Sequence, residues 1–225
     1  MVKENPILGI IGGGQLGSML ATAAKKLNIK TFILSDDPEA PAKKFCDEFI
    51  ISDYNKIKNI EEFANKVDVV TFEFENIPFK ILEYIAKLKP VLPKPTVNQI
   101  IQNRFTEKKF ISNTAGAINE LEIKMTKYAL IKEKSDIFKN ENLLPGILKT
   151  CTLGYDGKGQ IVINNKDEIS KLEIDFNKEY ILEKKINLKK EISIIITRFL
   201  NNDCLIYEPF ENYHVDQMLN KSFIP

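Results

Sequence analysis

The residues best suited to chemistry lie between Leu148 and Gln160. The stretch reads Leu148-Lys149-Thr150-Cys151-Thr152-Leu153-Gly154-Tyr155-Asp156-Gly157-Lys158-Gly159-Gln160. An apolar segment ends in a lysine, a loop carries glycines at 154, 157 and 159, and the β-branched run Ile161-Val162-Ile163 follows. Glycine has no Cβ to hold a ligand off, so such a loop can bring main-chain N–H groups close to phosphates. Lys149 and Lys158 add positive charge. The pattern predicts strand, glycine loop, strand. It lacks both the G-x-x-x-x-G-K-[ST] spacing and the following helix of a P-loop. Taken alone, it also fits a hairpin turn with a solvated lysine, because glycine clusters mark turns.

A second candidate is Gly12-x-Gly14-x-x-Gly17, between the apolar run Ile7–Ile11 and a helical pattern through Met19, Leu20, Ala23, Ala24 and Leu27. With Asp36 after the next apolar run, this matches a dinucleotide-binding fingerprint and opens the possibility of a nicotinamide- or flavin-linked enzyme. A glycine turn feeding a helix N-terminus binds any anionic group, so a substrate phosphate suits it equally. Close strand–helix packing without a ligand is the plainer alternative. A third candidate is Glu73-Phe74-Glu75-Asn76, at the C-terminal end of the strand predicted over 67–72. Ligands collect at that edge of an open parallel sheet. Two carboxylates and an amide there could hold hydroxyl or amine groups, or simply be a solvated strand end. Strand alternation, carried that far, would point Phe72 and Phe74 away from Glu73 and Glu75.

These groups need elements to position them. Strands are predicted at 7–11, 30–34, 48–51 and 67–72, with helices after the glycine turn through Met19 to Leu27, from Ile60 to Val67 and from Phe79 to Leu88. Asn28 is a C-terminal stop for the first helix. Val91-Leu92 reads as a short strand, and Thr96 as the N-cap of one helix running to about Ser112 that carries Arg104. From Ala117 to Glu133 the pattern is weak. Strands follow at 147–149, 161–163 and 180–183, then one long strand at 191–198 with a hairpin partner at 204–207 across Asn201-Asn202-Asp203. The fold class is α/β: a doubly wound parallel-sheet domain followed by an α+β domain.

Composition narrows the classes. The 225 residues are 44% hydrophobic and 28% charged, with a formal net charge of +1, as in a soluble globular protein, and the length suits two domains. Nothing in that balance suggests a nucleic-acid or membrane surface. Cys46, Cys151 and Cys204 are scattered without a C-x-x-C pair, and His214 is the only histidine. That argues against a disulfide framework, a zinc site or a Ser-His-Asp triad and for a reducing compartment, the cytoplasm by default. The apolar run at 7–11 is broken by Gly9 and too short for a signal sequence, and no stretch approaches a membrane span.

Six motifs in order carry a family resemblance: Gly-Gly-Gly-Gln-Leu-Gly at 12–17, Thr-Phe-Glu-Phe-Glu-Asn-Ile-Pro at 71–78, Asn-Arg-x-x-x-Lys-Lys-Phe at 103–110, Leu-Lys-Thr at 148–150, Gly-Tyr-Asp-Gly-Lys-Gly-Gln at 154–160 and Glu-Asn-x-His at 211–214. Together they resemble the 5-(carboxyamino)imidazole ribonucleotide synthases, ATP-grasp enzymes of purine biosynthesis. The resemblance implies a pre-ATP-grasp domain at 1–96, a connecting helix at 97–116, a small ATP-grasp subdomain at 117–186 and the start of the large one at 187–225. It implies that ATP phosphorylates bicarbonate to carboxyphosphate, which carboxylates the exocyclic amine of 5-aminoimidazole ribonucleotide. Lys149 and Arg104 would then contact the nucleotide, and Gly154, Tyr155, Asp156, Gly157, Lys158, Gly159 and Gln160 would cover the phosphates. Glu183, Lys184, Lys185 and Ile186 match the segment whose backbone reads the adenine edge, Glu191 the acid that holds the ribose, and His214 a nucleotide-site histidine. Gly14, Gln15, Leu16, Glu73, Glu75 and Asn76 would face the aminoimidazole ribonucleotide, which accounts for the fingerprint without a dinucleotide.

The departures are specific. The family usually carries basic and glycine residues where this chain has Cys151, Thr152 and Leu153. Its members run longer, so the resemblance places the magnesium-binding carboxylates and an Asn-Glu pair beyond Pro225, and no acidic cluster within the 225 residues replaces them. A sheet cut there should leave an unpaired edge and exposed apolar surface. The resemblance also implies a homodimer. Two alternatives stay open: a folded remnant that binds nucleotide without turnover, and another ATP-grasp carboxylase or transformylase with a different acceptor.

Overall fold

The computed structural model describes residues 5–117, 124–154, 159–215 and 218–224. The chain divides into two compact units, Met1–Phe110 and Ile111–Pro225.

The first unit is built on strands β1 (Ile7–Ile11), β2 (Lys30–Ser35), β3 (Glu48–Ile51) and β4 (Val69–Phe72), all parallel in the order β3-β2-β1-β4. A single parallel bridge from Val70 to Val91 extends the sheet past β4, so the expected strand at 91–92 is reduced to that bridge. Between β1 and β2 runs α1 (Gln15–Lys26), ended by Asn28 in the left-handed region at φ 57°. α2 (Ile57–Lys66) and α3 (Phe79–Ala86) follow β3 and β4.

Strand alternation sorts the apolar residues between two faces. Ile10 and Ile33 pack with Ala21 of α1 and with Ala42. Ile11, Phe32, Leu34 and Val70 pack with Ile60 and Phe63 of α2 and with Leu82 and Ile85 of α3. The sheet is thus covered on both sides. Phe63 is fully buried, its ring centroid 5.2 Å from that of Phe32. A Cβ on Gly9 would come within 2.7 Å of the Phe63 ring, so the glycine lets α2 close onto β1.

The single helix expected from Thr96 to about Ser112 is two. α4 (Pro95–Ile101) starts two residues earlier than expected, with Lys94 as N-cap and Pro95 in the first turn, where its missing N–H costs nothing. It ends at Gln102, and α5 (Arg104–Ala117) begins under a new cap. Asn103 Oδ1 accepts from the N–H groups of Phe105 and Thr106, and Thr106 Oγ1 donates to the carbonyls of Ile100 and Asn103. A side-chain cap at Asn103 offers the backbone an alternative to continuing the first helix.

In the second unit, β5 (Tyr128–Ile131), β6 (Gly146–Thr150), β7 (Gln160–Ile163) and β8 (Tyr180–Lys184) form an antiparallel sheet ordered β5-β8-β6-β7. One face packs Leu148, Ile163, Tyr180 and Leu182 against Ile137 of α6 (Lys134–Lys139) and Ile169 of α7 (Lys166–Ser170). The long strand expected at 191–198 is split between two sheets. β9 (Glu191–Ser193) joins β12 (Phe210–Val215) and β13 (Met218–Phe223), whereas β10 (Ile196–Arg198) pairs with β11 (Cys204–Ile206) in the expected hairpin. Its β-branched residues favour extended backbone throughout, but the pairing partner changes at Ile194–Ile195. Apolar side chains are exposed across this region, among them Leu188, Leu200, Ile206 and Ile224.

Removing the Phe63 ring should leave a cavity that the sheet cannot fill. Phe63→Ala is expected to destabilise the first unit by about 3–5 kcal/mol, read as a shift in its urea unfolding midpoint.

Candidate functional site

In the first unit, β1 lies between β2 and β4, so chain direction diverges at the crevice between β1 and β4. The glycine turn leaves β1 on one side of that crevice and Glu73 leaves β4 on the other. Their groups meet. Gly14 N–H donates to Glu73 Oε1 at 2.8 Å, and Glu73 N–H donates to the Ile11 carbonyl at 3.1 Å. Gly12 adopts φ +103°, and a Cβ there would sit 2.7 Å from Glu73 Oε1. The anionic group at the N-terminus of α1 is therefore the protein's own carboxylate, which suits the positive end of the helix dipole.

Tyr54 feels the charge of this carboxylate. Tyr54 is pushed above the ordinary phenol range by burial first, then by the nearby Asp36 carboxylate and, less, by the charge of Glu73. Asp36 thus lies near a tyrosine at the edge where the fingerprint would have it hold a ribose. Gln15 and Leu16 lie exposed in the first turn of α1. Glu75 is exposed and Asn76 half-buried. The strand ends at Phe72, so the expected alternation stops there: Phe72 packs on the core and Phe74 is exposed. Arg104 is the first residue of α5.

In the second unit, register brings three predicted residues together. Lys149 lies opposite Gln160 of β7 and Ile181 of β8, and Glu183 stands two residues beyond Ile181. Residues opposite one another, and those two apart, share a sheet face. Lys149 Nζ donates to Glu183 Oε2 at 2.9 Å, with the side chains 23% and 11% exposed. Leu148 and Leu182 turn to the other face, into the core. The connection between the strands leaves β6 at Cys151 and closes at Gly159, whose carbonyl accepts from Thr150 N–H at 2.9 Å. Gly159 has φ +75° and no room for a Cβ against Thr150 Oγ1. Tyr155, Asp156, Gly157 and Lys158 lie outside the described residues.

The rest of the predicted nucleotide set is placed in two groups. Lys184 ends β8, and its N–H and that of Lys185 donate to the carbonyls of Lys127 and Pro145. Those two main-chain donors are engaged within the unit. Ile186 is exposed. Glu191 and His214 come together on neighbouring strands, with His214 Nδ1 3.5 Å from Glu191 Oε1.

The comparisons with known proteins follow this layout. Residues 6–102 match the ribonucleotide synthetase preATP-grasp domain and residues 116–225 the ATP-grasp domain. The curated N5-carboxyaminoimidazole ribonucleotide synthase of Staphylococcus aureus (strain COL) is 35% identical over 227 residues, covering 100% of this chain and 59% of the relative. That of Bacillus subtilis (strain 168) is 34% identical over 229 residues, covering 100% and 58%. The chain is homologous over its whole length to the N5-carboxyaminoimidazole ribonucleotide synthases, its second part matching the ATP-grasp domain. The crystal structure of the Staphylococcus aureus synthetase complexed with ADP superposes on it with a TM-score of 0.89 at 35% identity, covering 100% of this chain and 59% of that one. The Aspergillus clavatus synthase complexed with ATP gives 0.82 at 26% identity, covering 96% and 56%. The chain thus spans about three fifths of the length of these synthases.

Sequence reasoning missed Tyr54, Asn98 and Gln102 as neighbours of the site. Asn98 and Gln102 stand four apart on one helix turn, a spacing that marks a shared face. No sequence pattern singles out Tyr54.

Leu153 is a departure with a physical consequence. It has φ 59° and is 69% exposed, beside the glycine loop. A side chain in the left-handed region is strained, and glycine is not. Leu153→Gly is expected to stabilise the second unit by up to about 1 kcal/mol after glycine's extra chain entropy, measured by urea unfolding.

Proposed function

We propose that this chain carries the ATP-binding and substrate-binding parts of an N5-carboxyaminoimidazole ribonucleotide synthase. The observation that carries the reading is the Lys149–Glu183 pair on one sheet face beside the glycine loop, in a chain homologous to the synthases over its whole length. The reaction is ATP-dependent carboxylation in purine biosynthesis. Bicarbonate oxygen attacks the γ-phosphorus of ATP, giving carboxyphosphate and ADP. The exocyclic amine of 5-aminoimidazole ribonucleotide then attacks the carboxyl carbon, phosphate leaves, and the amine loses its proton.

The residues contribute positioning and charge. Lys149 moves its ammonium from Glu183 to a phosphate oxygen, and the loop at 154–160 lays its N–H groups along the phosphates. Such electrostatic positioning is most of what phosphoryl transfer asks of a protein. Glu191 and His214, already adjacent, hold the ribose side of the nucleotide. Glu73, Glu75 and Asn76 face the aminoimidazole ribonucleotide with Gly14, Gln15 and Leu16. Magnesium, implied by the resemblance, neutralises phosphate charge in this chemistry. Among the described residues no cluster of three or more histidine, cysteine or acidic side chains stands together, and magnesium takes most of its ligands from phosphate and water. Cytoplasmic location belongs to the same proposal and rests on three scattered cysteines without disulfides.

The test is ATP binding by calorimetry. Losing a charge-assisted hydrogen bond should weaken ATP binding to Lys149→Ala by about tenfold to a hundredfold. Lys166→Ala removes an exposed lysine that pairs with Glu141 and should leave it unchanged. Equal effects would overturn the assignment.

A further inference from the structure

The end of α4 reaches the loop that follows β4. Asn98 is fully buried and donates Nδ2 to the Ile77 carbonyl at 3.2 Å. One turn on, Gln102 Nε2 lies 2.6 Å from the Glu75 carbonyl and 2.5 Å from the Ile77 carbonyl. A primary amide nitrogen has two N–H donors, so one side chain straddles carbonyls on either side of Asn76. Asn98 Oδ1 is buried without a hydrogen-bond partner among the described residues. An apolar side chain would avoid that cost, so what asparagine supplies here is its donor.

We propose that Asn98 and Gln102 are positioning residues that hold Asn76 for the aminoimidazole ribonucleotide, an inference that rests on the substrate reading of the 73–76 loop given above. The loop is anchored at its start by Glu73 on Gly14 and at its end by the buried Ile77 side chain. Between these anchors the chain has no strand or helix to fix its peptide planes. The two amides pin the planes that carry the Glu75 and Ile77 carbonyls. Asn76 is left between fixed planes, its side chain limited to rotamers about a set backbone. Arg104, two residues beyond Gln102, is set by a separate device, the Asn103 cap. Substrate-side and nucleotide-side effects of Gln102 are therefore separable.

The experiment compares the 225-residue chain with Gln102→Met, which keeps length and loses both donors. Amide hydrogen exchange at Glu75–Ile77 reads the clamp, and calorimetric titration with 5-aminoimidazole ribonucleotide and, separately, ATP reads its use. Loss of the bridging amide should speed exchange and weaken ribonucleotide binding, each by about tenfold, with ATP binding held within about twofold. Fast exchange with unchanged ribonucleotide affinity would make the amides a fold device only and overturn the proposal. Equal weakening of both ligands would overturn it as a general loss of stability. A parent chain that exchanges slowly at the loop yet binds no aminoimidazole ribonucleotide would overturn the substrate reading itself, and the proposal with it.

Discussion

The crevice of the first unit depends on one hydrogen bond, from Gly14 N–H to the Glu73 carboxylate. It joins the turn after β1 to the end of β4, where the sheet's chain direction diverges. The glycines around it follow from the need for space. Gly12 sits at φ +103° against the carboxylate, and a Cβ on Gly17 would meet the Gly12 carbonyl at 2.8 Å. A carboxylate at a helix N-terminus is stabilised by about 0.3–1 kcal/mol when exposed and more when partly buried. Glycines that would admit a pyrophosphate elsewhere here admit a side chain from the neighbouring strand. The fingerprint is thus a statement about backbone space and helix charge, and the identity of the anion comes from the rest of the chain.

The second unit works by a different constraint. Its sheet is antiparallel, so opposite residues share a face, and Lys149, Gln160 and Glu183 come to one side because Leu148 and Leu182 must go to the other. Core burial on one face therefore sets the charge arrangement on the other. The ion pair is partly solvated, which makes it weak evidence for stability. What it does show is an ammonium held beside Gln160, where the glycine loop rejoins the sheet. Glu191 and His214 show the same logic on a smaller scale, with strand pairing bringing together residues 23 positions apart in the numbering.

Much of this was legible in the sequence, for identifiable reasons. The parallel strands are buried on both faces and read as continuous apolar runs, and the glycine motifs mark turns wherever they occur. The pairing of Lys149 with Gln160 follows from a loop closing between two strands. What was hidden depends on competition or on long-range pairing. Asn103 splits one predicted helix because its side chain caps the next. The 191–198 run changes partner midway, which propensity cannot show. β5 is four residues long, and α6 and α7 each bury a single residue, Ile137 and Ile169, too little for a periodic signal. Tyr54 and Gln102 act through tertiary contacts from outside any motif.

The most direct measurement is paired calorimetric titration of the chain with 5-aminoimidazole ribonucleotide and with NAD. A crevice already filled by the Glu73 carboxylate, beside a loop presenting Glu75 and Asn76, should bind the aminoimidazole ribonucleotide and show no heat with NAD. Binding of NAD, with the aminoimidazole ribonucleotide silent, would mean that the carboxylate gives way to a pyrophosphate and that the account of this site is wrong.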